Sequence, residues 1–157
     1  MRIFGGKAEA NLKSTREMVE RVISELGLAA DDNRLQTDDG SLAWGLMRGS
    51  AQVYIFVRPG EDEQGTSSIQ VIAPVMKIPP SKDAQLPLFH RLLELNAQQI
   101  TGAAFAIKDD TVVILTDRST QDLDRSEVKE MILRVGYFAD TLDDSLVRQF
   151  GGQRYSD

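Results

Sequence analysis

Leu42-Ala43-Trp44-Gly45-Leu46-Met47-Arg48-Gly49-Ser50-Ala51-Gln52-Val53-Tyr54-Ile55-Phe56-Val57-Arg58 contains the pattern that decides the fold. Apolar residues alternate with small or polar ones through Ser41 to Met47 and again through Gln52 to Arg58, the period of half-buried strands. Between them, Arg48-Gly49-Ser50-Ala51 reads as a two-residue hairpin with glycine first, as a type II′ turn requires. That turn pairs Leu46 with Val53, Trp44 with Ile55 and Leu42 with Val57. All six side chains then share one face, as a buried face demands. The other face sets Tyr54 against Gly45 and Phe56 against Ala43, so aromatic rings stand over residues too small to fill space. Such a face is either covered by a helix or open as a binding groove.

Outward from the hairpin, Pro59 to Gly65 is an acidic loop and Ser67 to Met76 a third strand, which Pro79-Pro80 stops. Ile72 and Met76 fall on the side of Tyr54 and Phe56. These four are the residues expected to bind a partner or peptide. Upstream, residues 1 to 13 read as loosely ordered. Ser14 opens a helix with Glu17 completing a capping box. Met18, Val19, Val22, Ile23 and Leu26 form its apolar stripe, and Gly27 ends it. The segment from Ala29 to Gly40 reads as loop.

Downstream, Leu86-Pro87-Leu88-Phe89-His90-Arg91-Leu92-Leu93-Glu94-Leu95-Asn96-Ala97 has a helical period but an unusually wide apolar arc. Leu86, Phe89, Leu93 and Ala97 lie on one side, and Leu88, Leu92 and Leu95 on an adjoining one. Together they span roughly 200°, about twice what one packing surface requires. Such a helix needs two covers: its own sheet, and a second copy of the chain. Leu88, Leu92 and Leu95 are the residues expected at that homodimer contact. After Gly102 come a strand from Ala103 to Lys108, a turn at Asp109-Asp110, and a returning strand from Thr111 to Thr116. Asp122 or Asp124 caps a last helix, whose narrow stripe runs from Val128 to Phe150 before Gly151-Gly152. The expected fold is α+β, ordered helix, three strands, helix, two strands, helix. It carries an antiparallel five-stranded sheet with flanking helices in a single domain over 1–157.

The 157 residues include no cysteine and one histidine, with 27% charged and 41% hydrophobic. A folded chain without disulfides or thiolate chemistry follows, in keeping with a reducing cytoplasm. The net charge of −6 lacks the basic stripe that nucleic acid or an anionic membrane surface requires. No run of about 18 apolar residues is present to span a bilayer, and the first residues lack the apolar core of a signal peptide. His90 lies one turn before Glu94, but no nucleophile or second carboxylate is placed to complete a catalytic site. It reads as a boundary histidine. The pairs Asp31-Asp32, Asp38-Asp39, Asp109-Asp110 and Asp143-Asp144 carry the chemistry of Mg²⁺ or Ca²⁺ ligands, yet most sit where solvated turns are expected. Asp122-x-Asp124-x-Ser126 opens like a calcium loop, lacks the glycine such a loop needs, and is better explained by capping. No phosphate loop, dinucleotide fingerprint or hydrolase motif occurs. No metal or cofactor is expected, and no enzyme.

Several features in order resemble the type III secretion chaperone-like fold, in particular its YbjN-like branch. They are Leu92-Leu93-Glu94-Leu95-Asn96, Gly102, Phe105-Ala106-Ile107, Asp109-Asp110, Val113-Ile114-Leu115, Leu123-Asp124, and Phe138-Ala139-Asp140 with Leu146. They cover roughly residues 86 to 150; the first half matches by element order. The resemblance implies a small acidic homodimer that binds segments of other proteins without chemistry, its second helix helping to build the dimer contact. The alternative, from the residues themselves, is a small-molecule-binding or regulatory protein that uses its apolar sheet face.

Overall fold

The computed structural model describes residues 5–61 and 65–155, apart from the side chains of residues 5, 7 and 8. Its elements are α1 (Gly5–Glu25), β1 (Arg34–Leu35), β2 (Leu42–Arg48), β3 (Ala51–Arg58), β4 (Ser68–Lys77), α2 (Lys82–Gln98), β5 (Ala104–Lys108), β6 (Thr111–Ser119), α3 (Arg125–Phe150) and β7 (Gln153–Arg154). The sheet runs β1-β2-β3-β4-β6-β5, with β7 also paired to β4. It is antiparallel, as in Arg34 opposite Trp44 and Ala104 opposite Leu115.

The fold class is α+β as expected, but among the described residues the sheet has seven strands rather than five. The additions, β1 and β7, hold two residues each. No period can show in two residues, and Arg34-Leu35 sits within a polar loop. α1 is also longer than its capping signal suggested. The stretch expected to be loose is helical from Gly5 onward; residues 1–4 lie outside the described ones. Asn11 supplies the reason. Its side-chain oxygen accepts from Ser67 Oγ at 3.0 Å and from Thr120 Oγ1 at 3.2 Å. Those two hydroxyls lie 2.7 Å apart and are buried. The first turns of α1 are thus tied down by partners distant in sequence.

The local chemistry of the ends is as the residues dictate. Gly27 has φ +85°, with Gly27 N–H bonded to Ser24 O and Leu28 N–H to Ile23 O, a Schellman ending. At Gly49, φ is +56°, while Ser50 is not in the left-handed region, in keeping with a type II′ turn. Asp124, rather than Asp122, caps α3. Its carboxylate accepts from Glu127 N–H at 2.9 Å, and Glu127 returns a bond to Asp124 N–H at 2.9 Å.

The chain's contacts group into two compact units. The first comprises 1–46, 54–71 and 117–130. Its buried side chains include Val19, Val22 and Ile23 of α1, Ala43, Trp44 and Leu46 of β2, Ile55 and Val57 of β3, Ile69 and Val71 of β4, and Leu123 and Val128. The second comprises 47–53, 72–116 and 131–157. It buries Val53, Ala73, Val75 and Met76, the α2 leucines, Phe105, Val112 to Ile114, and Ile132, Val135, Ala139 and Leu146 of α3. Five of the six residues that the alternation places inward, Trp44, Leu46, Val53, Ile55 and Val57, are buried, while Leu42, at the start of β2, is half-buried; on the other face Tyr54, Phe56 and Arg58 are half-buried and Ala43 is buried.

Candidate functional site

In the first unit, the outward side chains of β3 form an aromatic strip. The Tyr54 and Phe56 rings stack with centroids 6.4 Å apart and planes 26° apart. Arg58 extends the strip, its guanidinium carbon 5.0 Å from the Phe56 centroid, and donates to Gln70 Oε1 at 3.3 Å. The Tyr54 ring and Leu35 flank Gly45, where a side-chain carbon would stand 3.5 Å from the ring and from Leu35 Cδ1, an ordinary van der Waals contact. Leu35 is exposed on β1. Beside Phe56 and Arg58 lie shallow clefts lined by Thr37, Asp38, Asp39 and Ser41. Asp39 accepts from Ser41 N–H at 3.0 Å, and that backbone bond holds its carboxyl below the ordinary aspartate value. The strip therefore offers two π-faces, a cation and carboxylates at its rim.

Ile72 and Met76, expected to share this surface, do not contribute to it: both are buried. The period-2 reading puts them on the side of Gln70, but within the second unit both side chains are buried, while Pro74 between them is half-buried. Leu35, Arg58 and Gln70 were missed. Arg58 and Gln70 sit at the period-2 positions of Tyr54, Phe56 and Ile72, a signal that an apolar-only search passes over.

In the second unit, α2 begins at Lys82, four residues before the apolar arc, and retains Pro87 in its first turns. It packs against β5, and Asn96 ties the two together. The Asn96 side chain accepts from Phe105 N–H at 2.7 Å and donates to Phe105 O at 3.2 Å. The wide arc does divide in two, but the halves are reversed from the expected assignment. Leu88, Leu92 and Leu95 are 0%, 4% and 2% exposed within one chain and have no surface to give a partner. Leu86 and Leu93, one heptad apart, are 75% and 69% exposed, and Phe89 is half-buried between them. A helical wheel shows two sides; which one meets the sheet is set by the packing of α2 on β5.

His90 is exposed, its Nδ1 3.7 Å from Glu94 Oε1. Asp143 is buried and receives the Ser50 hydroxyl at 2.7 Å, while Ser50 N–H donates to Asp140 at 2.8 Å. These carboxylates fasten the hairpin turn to α3. Asp110 bonds Lys77 at 3.1 Å, which lowers its pKa, and Asp124 is lowered by the Ser126 hydroxyl. Among the described residues, no three acidic or histidine side chains gather to hold a metal. None of their helices is long and apolar enough to cross a membrane.

Two solved structures share this architecture, and a third gives a weaker match. The crystal structure of the ExsC-ExsE complex contains a chain matched with a TM-score of 0.55 at 12% identity, over 85% of this chain and 94% of that one. In the heterodimeric ExoU-SpcU complex from the type III secretion system of Pseudomonas aeruginosa, the values are 0.53, 13%, 80% and 94%. YbjN, a putative transcription regulator from E. coli, aligns with a TM-score of 0.49 at 15% identity, over 85% and 92%. No curated protein matches in sequence. The model of one family does match, over residues 13–157, and the chain belongs to that family: TY-Chap1, the T3SS (YopN, CesT) and YbjN peptide-binding chaperone 1.

Proposed function

We propose that the chain is a non-enzymatic, homodimeric chaperone-like module of the cytoplasm that holds peptide segments of partner proteins. The observation that carries this reading is the division of α2. One side is satisfied by the chain's own core, while the other leaves Leu86 and Leu93 in water. A second copy is the occupant that fits. A two-fold contact brings the same patch of each copy together, so Leu86 and Leu93 of one chain would cover those of the other.

Peptide binding is assigned to the Tyr54–Phe56–Arg58 strip. Aromatic anchors flanked by a cation suit an extended segment with apolar or aromatic residues and an acidic one. Membership in a peptide-binding chaperone family supports this use.

Light scattering on a sizing column tests the assembly. The wild-type chain is expected at about twice 17.4 kDa at micromolar concentration. Leu93→Glu is expected to shift it to monomer, since it puts a charge into a desolvated contact. A wild-type monomer, or a Leu93→Glu dimer of unchanged strength, would contradict the reading.

A further inference from the structure

After α3 stops at Phe150, the next residues reverse and lay a strand on β4. Arg154 pairs with Met76 and Gln153 with Lys77, antiparallel. Tyr155 N–H donates to Val75 O at 3.2 Å. The reversal uses two left-handed glycines, Gly151 at φ +81° and Gly152 at φ +86°. A side-chain carbon at Gly152 would lie 2.7 Å from Lys77 O and 3.2 Å from the Met76 methyl. Backbone therefore rests directly on a fully buried methionine.

The hold on this strap is slight. Its ladder is two residues long, well below the usual strand. Its side-chain anchors are at the surface. Arg154 reaches Asp144 at 3.0 Å, and Lys77 Nζ lies 5.5 Å from the Tyr155 ring centroid while also bonded to Asp110. Pairs that are partly open to water in this way contribute modestly.

We propose that this stretch of β4 is a strand-accepting site for an extended peptide, closed in the resting chain by residues 151–155. The strap itself shows what fits: a glycine over Met76, two backbone-paired residues, a cation for Asp144 and an aromatic ring for Lys77. A partner segment of the pattern Gly-x-(Arg/Lys)-(Tyr/Phe) meets the same groups and enters by strand addition once the strap lifts. This names a partner chemistry for the peptide-binding reading and rests on it, yet it is tested without any partner.

The probe is a fluorescein-labelled synthetic peptide with the sequence of residues 150–157, read by fluorescence anisotropy. Gly152→Val, which clashes with Lys77 O, expels the strap, and the variant is expected to bind the probe at least about tenfold tighter than wild type. Arg154→Glu, at a half-buried position outside the core, should move affinity the same way by a smaller factor. The double variant Lys77→Cys/Gln153→Cys joins two paired positions in a chain with no other cysteine. Oxidation should abolish probe binding and reduction restore it. The proposal is overturned if neither Gly152→Val nor Arg154→Glu binds more tightly than wild type, or if the oxidised form binds as well as the reduced one. A disulfide that joins two chains on a non-reducing gel would assign the seat to strand exchange between copies and also overturn it. Failure of the Tyr54–Phe56 strip to bind peptides leaves all these results unaffected.

Discussion

Leu92→Glu is expected to unfold much of the chain's margin of stability, while Leu93→Glu, one residue on, leaves the fold intact. Leu92 is 4% exposed and Leu93 69%. Glutamate at 92 loses the packing of a core leucine, about 2–5 kcal/mol. It also places an unpaired carboxylate among apolar neighbours, for which breaking a buried pair, about 3–5 kcal/mol, is the nearest guide. Relaxation and protonation keep the two losses from simply adding. At about 2–4 °C per kcal/mol for a chain of this size, the melting temperature should fall by about 10 °C or more. At 93 the same side chain remains in water, and the change should stay within about 0.5 kcal/mol at protein concentrations where both forms are monomeric. Thermal melts by circular dichroism decide it. Equal losses at the two positions would mean that α2 does not bury the side described.

Trp44→Ala should be the next most damaging change. The side chain is fully buried in the first unit, and truncation of such a residue costs about 3–5 kcal/mol. Trp44→Phe is the informative partner. Among the described residues, Trp44 Nε1 is the buried side-chain polar atom with no hydrogen-bond partner. An unmet donor costs about 1–3 kcal/mol. Phenylalanine removes that donor while leaving a smaller cavity than alanine does, so Trp44→Phe should lie within about 1 kcal/mol of wild type. Chemical denaturation followed by far-ultraviolet dichroism measures both. A phenylalanine variant as unstable as the alanine one would show that the indole nitrogen is satisfied.

Much of this was legible in the chain because the information is local. The Gly49 turn and the alternation about it pick out Trp44, Leu46, Val53, Ile55 and Val57, which are buried, together with Leu42, which at the strand's start is only half-buried. Asp124 with Glu127, and Gly27, mark helix ends by their own chemistry. What escaped the sequence depends on distant partners. The start of α1 at Gly5 rests on Asn11 meeting Ser67 and Thr120. β1 and β7 exist through pairing with Trp44 and Met76 rather than through any pattern of their own. The same holds for the surfaces. The wide arc of α2 announced two covers, yet the identity of the inner half comes from β5 and from the Asn96–Phe105 bonds. Ile72 and Met76 share a strand side with open positions, but local cover decides exposure, and period-2 reading does not contain it.

The most direct measurement of the central claim is equilibrium binding of an array of synthetic 15-residue peptides to the wild-type chain and to Phe56→Ala. Wild type is expected to bind a subset rich in apolar and aromatic residues with an acidic residue nearby. Phe56→Ala should weaken that binding by about 1–3 kcal/mol, roughly fivefold to 150-fold. Since Phe56 is only half-buried, its loss should cost the fold less than about 2 kcal/mol, below the range for core phenylalanines. An array that the wild-type chain ignores, or a subset bound equally well without the Phe56 ring, would contradict it.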